Sequence, residues 1–240
     1  MNSFLFYDPE ITAEKSNFIL SPEESGHIIK VLRFRTADKL FLTNGKGSIF
    51  ETEIISGSSK AVEVKLIKAD IFEPSKPSVI LAISPVKNRE TMEWLVEKAT
   101  EIGVTSLYFF TSEHSERTVL KLERLEKIVI SAIKQSLNPY MPELHPLLTF
   151  KLLLKHFQDA DMQKLIAHCE QPLDQHISTV YNKGKDVLLL IGPEGGFSEN
   201  EIEEAKCMNF DVISLGKNRL RTETASIYAL TAIQTLNNLK

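Results

Sequence analysis

The chain of 240 residues is 42% hydrophobic, enough apolar material for one large domain or two ordinary ones. No stretch reaches the roughly 18 consecutive apolar residues of a membrane span, and the start MNSFLFYDPE carries Asp8 and Glu10 where a secretory leader needs a basic region, so a soluble, cytoplasmic protein is expected. The formal charge of −4 excludes indiscriminate coating of nucleic acid, although a local basic patch can still bind a particular RNA.

Residues 1–72 are expected to form a small β-rich domain. DKLFLTNGKGSIFETEIIS places strand-forming runs on either side of Asn44-Gly45, and AVEVKLIKADIF alternates apolar with polar residues. One short helix is expected within SPEESGHIIKVLRF, where Ser21 can cap, Pro22 takes the first helical position and acids fill the first turn. The proline- and serine-rich EPSKPS, 73–78, reads as a linker.

From 79 to 240 apolar runs alternate with helical patterns. SVILAISPV, TSLYFFTS, KLIAHCE, DVLLLIGP and FDVISLG each read as a buried strand, and five such runs imply an α/β domain on a parallel sheet. Between the second and third, Leu122, Leu125, Ile128, Val129, Ala132 and Ile133 recur at helical spacing. Lys121, Glu123, Arg124, Glu126 and Lys127 face away, so the apolar stripe is expected in the core. TETASIYALTAIQTLNNL is helical too, and its Ala225, Ala229, Leu230, Ile233 and Leu236 can pack on the sheet or on a second subunit.

The common site motifs fail one by one. Gly192, Gly195 and Gly196 lack dinucleotide-binding spacing, and Glu194 with the acids at 199, 201, 203 and 204 would repel a phosphate at that helix start. Ser198 and Glu201 form a capping box that satisfies the local donors internally. Gly45-Lys46 is not a P-loop, since Leu40 stands where a glycine is required; it reads as a hairpin turn. The histidines and the two cysteines, Cys169 and Cys207, show no metal-ligand spacing, and His168-Cys169-Glu170 on one strand would point to alternate faces, so no metal is expected. No nucleophile elbow occurs.

Two glycine-bearing corners remain, IGPEGGF and SLGKNRLRTETA, each following a buried strand where open α/β sheets bind ligands. A ligand with adenine edges, ribose hydroxyls and a positive centre suits main-chain donors and tolerates a nearby carboxylate; S-adenosylmethionine has these groups and no phosphate. Arg221 stands at the threshold of the last helix, where it either serves the ligand or pairs with Glu194 or Glu223.

These corners resemble the 16S ribosomal RNA uracil-N3 methyltransferases of the trefoil-knotted, S-adenosylmethionine-dependent (SPOUT) superfamily. IGPEGGFSENEI and LGKNRLRTETA carry the resemblance, supported by KATEIGV, SERTVLK, KQSLNPYMPEL and GHIIKVLRF. It implies a PUA-like β-barrel at the N-terminus, a knotted methyltransferase domain, and a homodimer acting on 16S ribosomal RNA within the 30S subunit. The chain departs from the pattern where it reads Asn2-Ser3 in place of an early arginine and Gln135-Ser136-Leu137-Asn138 in place of a Gln followed closely by Gly-Arg. Arg219 is shifted by one from its usual place, while Arg221 aligns.

The resemblance implies S-adenosylmethionine held by His168, Gly192, Gly196, Leu215, Gly216 and Leu220, mostly through main-chain groups. Arg221, which keeps its proton and presents a rigid fork, is suited to stabilising the uracil anion formed when N3 loses its proton. The base stays open among Glu223, Glu194 and a water. RNA contacts are expected from Lys30, Arg33 and Arg35 in the first domain and from Arg117 and Lys121 in the second. Rival readings are a non-catalytic RNA-binding or ribosome-assembly protein of the same fold, and a knotted methyltransferase acting on ribose 2′-hydroxyls or transfer RNA.

Overall fold

The computed structural model describes residues 4–169 and 173–239; Asn2, Ser3 and Glu170 lie outside them. The chain divides into two compact units, the first running up to Pro74 and including Ile130–Met141, the second formed by Ser75–Val129 and Pro142–Lys240. Residues 73–78 carry neither helix nor strand.

In the first unit, β1 (Leu5–Tyr7), β2 (Asn17–Ile19), β3 (Lys39–Thr43), β4 (Ser48–Ser58) and β5 (Ala61–Ile71) form one sheet in the order β1-β3-β4-β5-β2. Alternation decides which side chains turn inward: Phe50 and Ile54 of β4 and Val62 and Val64 of β5 join Phe6, Phe18, Leu40 and Leu42 in a closed core. β3 and β4 pair antiparallel across Asn44–Gly47, where Gly45 takes a φ of 73° and the Asn44 side chain accepts from Lys46 N–H at 2.9 Å, the turn expected of Asn-Gly. α1 (Pro22–Gly26) begins as read, with Ser21 Oγ accepting from Glu24 N–H at 3.2 Å, and His27–Val31 continues it as a π-helical turn.

Pro139–Met141 complete the β3–β4 turn. Gly47 N–H donates to the Pro139 carbonyl at 3.0 Å and Met141 N–H to the Gly45 carbonyl at 2.9 Å, while Tyr140 Oη donates to the Phe72 carbonyl at 2.8 Å.

In the second unit, β6 (Val79–Ile83), α2 (Arg89–Ile102), β7 (Ser106–Thr111), α3 (Leu122–Ser136), β8 (Glu143–Thr149), α4 (Phe150–His156), β9 (Gln163–Ala167), α5 (Ile177–Val180), β10 (Val187–Ile191), α6 (Glu199–Cys207), β11 (Asp211–Ile213) and α7 (Thr222–Asn238) follow in turn, although the end of α3 clusters with the first unit. The sheet is parallel throughout, in the order β11-β9-β10-β6-β7-β8. β6 and β10 are buried along their whole length, which is why they read as unbroken apolar runs.

Two expectations need correction. The sheet has a sixth strand, β8, which escaped the pattern because ELHPLLT is half-exposed and contains Pro146; a proline is tolerated there because β8 is an edge strand. β9 ends at Ala167, so His168 and Cys169 lie beyond it, and the alternation assumed for them does not apply. On α3, Leu125, Val129, Ala132 and Ile133 are buried and the charged residues exposed, as the stripe required. On α7, Ala225, Ala229, Leu230 and Ile233 are buried within this chain, where the helix packs against α2, β6 and β10; Leu236 is half-buried.

Candidate active site

Because β11, β9 and β10 are neighbours, the chain leaves their carboxyl ends side by side: 214–221 after β11, His168 and Cys169 after β9, and 192–198 after β10. Together they enclose a cleft of about 350 Å³. Two hydrogen bonds join the outer corners. At the buried floor Thr222 Oγ1 donates to the Gly192 carbonyl at 3.2 Å, and at the exposed rim Arg219 Nη2 donates to the Glu194 carbonyl at 3.2 Å.

Local chemistry fixes each corner. After β10, Gly192 passes so close to Phe197 that a Cβ there would meet the ring at 3.0 Å, and Gly196 N–H turns back to the Pro193 carbonyl at 2.9 Å. Ser198 then caps α6 with the complete capping box, its Oγ accepting from Glu201 N–H while the Glu201 carboxylate accepts from Ser198 N–H. After β11, the buried Ser214 Oγ accepts from Gly216 N–H at 3.2 Å, and the chain reaches Arg221, which starts α7 without capping it through its side chain.

The cleft suits a nucleoside carrying a positive centre. At Gly196 and Gly216, where φ is 77° and 121°, a Cβ would meet nothing within 4 Å, so open space borders bare backbone that a ligand can approach. Ile191, Leu220 and Ala225 offer apolar surface, and Glu194 is the only carboxylate that lines the cleft among the described residues.

Among the described residues Arg221 pairs with neither Glu194 nor Glu223; Glu194 turns elsewhere. Its Oε1 accepts from Lys87 N–H at 3.0 Å, holding the β6–α2 turn against the first corner. The loop after β7 is held similarly: Glu113 N–H donates to Glu201 Oε1 at 2.9 Å, and His114 Nδ1 lies 3.1 Å from the Gly196 carbonyl. One acidic, glycine-rich stretch thus fastens both neighbouring loops.

The expected residues distribute unevenly. His168, Gly192, Gly196, Leu215, Gly216, Leu220 and Arg221 line this one cleft although they come from three separate stretches. Glu223 does not line it and stands half-buried in the first turn of α7. Arg221 is exposed and its side chain makes no hydrogen bond or ion pair among the described residues. Lys30, Arg33 and Arg35 are exposed in the first unit, Arg33 with a φ of 58°, while Arg117 and Lys121 border a second cavity. Thr222 and Arg219, which join the two corners, were read from sequence only as neighbours of Arg221 in its motif and were given no such role.

Residues 73–234 match the family of RNA methyltransferase domains, and residues 20–67 match its PUA domain. The chain belongs to this family. The α/β domain on a parallel sheet is what the alternating apolar runs indicated, and the PUA-like unit at its N-terminus is what the resemblance implied. A protein of Buchnera aphidicola subsp. Acyrthosiphon pisum named ribosomal RNA small subunit methyltransferase E is 31% identical, over 91% of this chain and 88% of its own. A probable rRNA-methyltransferase from Porphyromonas gingivalis is 41% identical with a TM-score of 0.88, and a ribosomal RNA small subunit methyltransferase E from Neisseria gonorrhoeae, solved with S-adenosyl methionine bound, is 28% identical with a TM-score of 0.85. Each alignment covers 98% of both chains.

Proposed function

We propose that this RNA methyltransferase transfers a methyl group from S-adenosylmethionine to N3 of one uridine in 16S ribosomal RNA, acting as a homodimer on the 30S subunit in the cytoplasm. The carrying observation is the pairing of a cleft bounded by bare glycine backbone with an uncommitted arginine, Arg221, at its edge. The name of the Buchnera relative supports the ribosomal substrate, and the ligand of the Neisseria structure supports the cofactor. The trefoil knot implied by the resemblance belongs to the same proposal.

The open space at Gly196 and Gly216 fits S-adenosylmethionine, which supplies an electrophilic methyl group when bound. Gly192, Gly196, Leu215 and Gly216 would hold it through main-chain groups, Leu220 through apolar contact, and His168 from just beyond β9. Arg221 acts on the acceptor: its permanent charge and planar donor fork stabilise the negative charge spread over the uracil carbonyl oxygens once N3 is deprotonated. The proton acceptor stays open among Glu194, Glu223 and a water: Glu194 lines the cleft and gives only Oε1 to Lys87 N–H, while Glu223 does not line it. Lys30, Arg33 and Arg35 on one unit and Arg117 and Lys121 on the other contact the RNA backbone, positioning the strand while the cleft selects the base. Exposed Tyr228 and Leu239 near the end of the chain, with Trp94 on α2, support a homodimer contact.

Labelled S-adenosylmethionine, incubated with the protein and 30S subunits lacking modifications, tests the reading. Mass spectrometry should place the methyl on N3 of one uridine. No transfer would favour the non-catalytic rival, and a ribose methyl the 2′-hydroxyl rival.

A further inference from the structure

A second cavity of about 530 Å³ lies apart from the cofactor cleft, bounded by the start of α2 and the segment entering α3. Five cations, Lys87, Arg89, Arg117, Lys121 and Arg124, line it against two carboxylates, Glu93 and Glu116. They are not held alike. Arg124 grips Glu93 with both arms of its fork, Nη2 to Oε2 at 3.0 Å and Nε to Oε1, and Arg89 Nε approaches Oε1 at 3.4 Å. The Arg124 hydrogen bonds, ahead of all other causes, hold the Glu93 carboxyl below its usual range, so this wall is a fixed ion cluster. Lys87 Nζ pairs with Glu116 at 2.7 Å.

Arg117 and Lys121 are held differently. Arg117 Nε donates to the Val119 carbonyl at 3.1 Å and Nη1 to the Val86 carbonyl at 3.4 Å; both acceptors are neutral, and among the described residues the guanidinium forms no ion pair, Glu93 acting on it only from beyond contact distance. The Lys121 ammonium makes no hydrogen bond or ion pair among the described residues. An oriented planar fork beside a free point charge is the donor set that recognises a phosphate group. The cavity is much larger than one phosphate requires, and Val119 on its border is 69% exposed, giving apolar surface for an attached sugar or base. Lys87 borders the cavity while its N–H is fastened to Glu194 of the cofactor corner, so the two sites share a turn.

We propose that this cavity seats a phosphodiester of the acceptor RNA, contacted by Arg117 and Lys121, with the Glu93–Arg124 cluster as its rigid wall. Phosphate recognition stands on the cavity alone; that the phosphate comes from RNA rests on the methyltransferase reading.

Affinity for unmodified 30S subunits, measured against salt, tests it. The R117A/K121A variant should bind about tenfold more weakly, and its log affinity against log salt should flatten by about 0.7, the slope that one phosphate contact contributes on a single strand. S-adenosylmethionine affinity and melting temperature should not move, and R117K should keep the salt slope. Unchanged affinity and slope overturn the proposal, as does a weakening that coincides with altered mass in light scattering, which would make the cavity an interface between copies. The dinucleotide UpU and inorganic phosphate are titrated in parallel while the Arg117 Nε–H resonance is followed. If UpU shifts that resonance and phosphate does so more weakly, while wild-type protein transfers no methyl, the cavity stands and the functional reading falls. If neither ligand shifts it, the cavity is wrong even where methyl transfer succeeds.

Discussion

Among the described residues Arg221 is a cation without a side-chain partner. The Glu194 carboxylate that lines the same cleft accepts from Lys87 N–H and forms no ion pair with Arg221. Replacing Arg221 with alanine should lower kcat by about 10²–10³, the cost of losing one donor to a developing anion, with little change in S-adenosylmethionine affinity measured by calorimetry. A parallel loss of cofactor affinity would assign the residue to binding instead. E194A should loosen the β6–α2 turn and raise the Kd for S-adenosylmethionine several-fold, since a typical hydrogen bond contributes about 0.5–1.5 kcal/mol. E194Q keeps an acceptor oxygen and should restore most of that affinity; equal losses in both variants would mean that the charge, not the bond, matters. The sequence made Arg221 visible through its motif. It left Glu194 undecided, because its partner is a backbone N–H distant in the chain and backbone donors leave no trace in side-chain identity.

The elements closest to the cleft were also the most legible: β10 and β11, the Ser198 capping box and the start of α7 all lie where apolar runs and cap residues indicated. The edge of the sheet was not, since β8 has one half-exposed pattern and a proline, and period-based reading depends on a buried face. The two kinds of glycine should respond differently to a methyl group. At Gly216 the φ of 121° alone penalises alanine, by about 1–3 kcal/mol. At Gly195 a Cβ would stand 2.7 Å from the Cβ of His114, so G195A must displace the β7–α3 loop as well. Both variants should melt earlier, and only G195A should speed amide exchange across residues 112–116; equal protection there would contradict the contact. β8 also carries a pH effect. His145 stacks on Tyr108 with ring centroids 3.7 Å apart, and burial, opposed by Glu143 and outweighing it, lowers its pKa below the ordinary 6.5. The unfolded chain therefore takes up a proton at 6.5 while the folded His145 resists, so its contribution to stability is full above 6.5 and is lost as pH falls through the lowered value. H145F should flatten the decline of the urea midpoint between about pH 7 and pH 5; an unchanged slope would assign that decline to other groups.

For the whole molecule, a formal charge of −4 coexists with a cavity lined by five cations, so the sign of the total says little about where an anionic strand can settle. Chain order is an equally poor guide to the units, because Ile130–Met141 belong with residues that precede them by more than half the length of the chain's first unit. A fragment of residues 1–74 lacks the groups that satisfy Gly45 and Gly47 in the β3–β4 turn. It should unfold with less cooperativity than the same fragment carrying residues 130–141 on a flexible tether, followed by circular dichroism; indistinguishable transitions would show that the turn is self-sufficient. During synthesis the same segment sets a delay. Tyr140 follows Phe72, whose carbonyl it binds, by 68 residues, which at about 5–20 residues per second takes about 3–14 seconds to translate. The part of the protein that leaves the ribosome first is thus kept waiting for its last piece, and its exposed turn is open to chaperones throughout that interval.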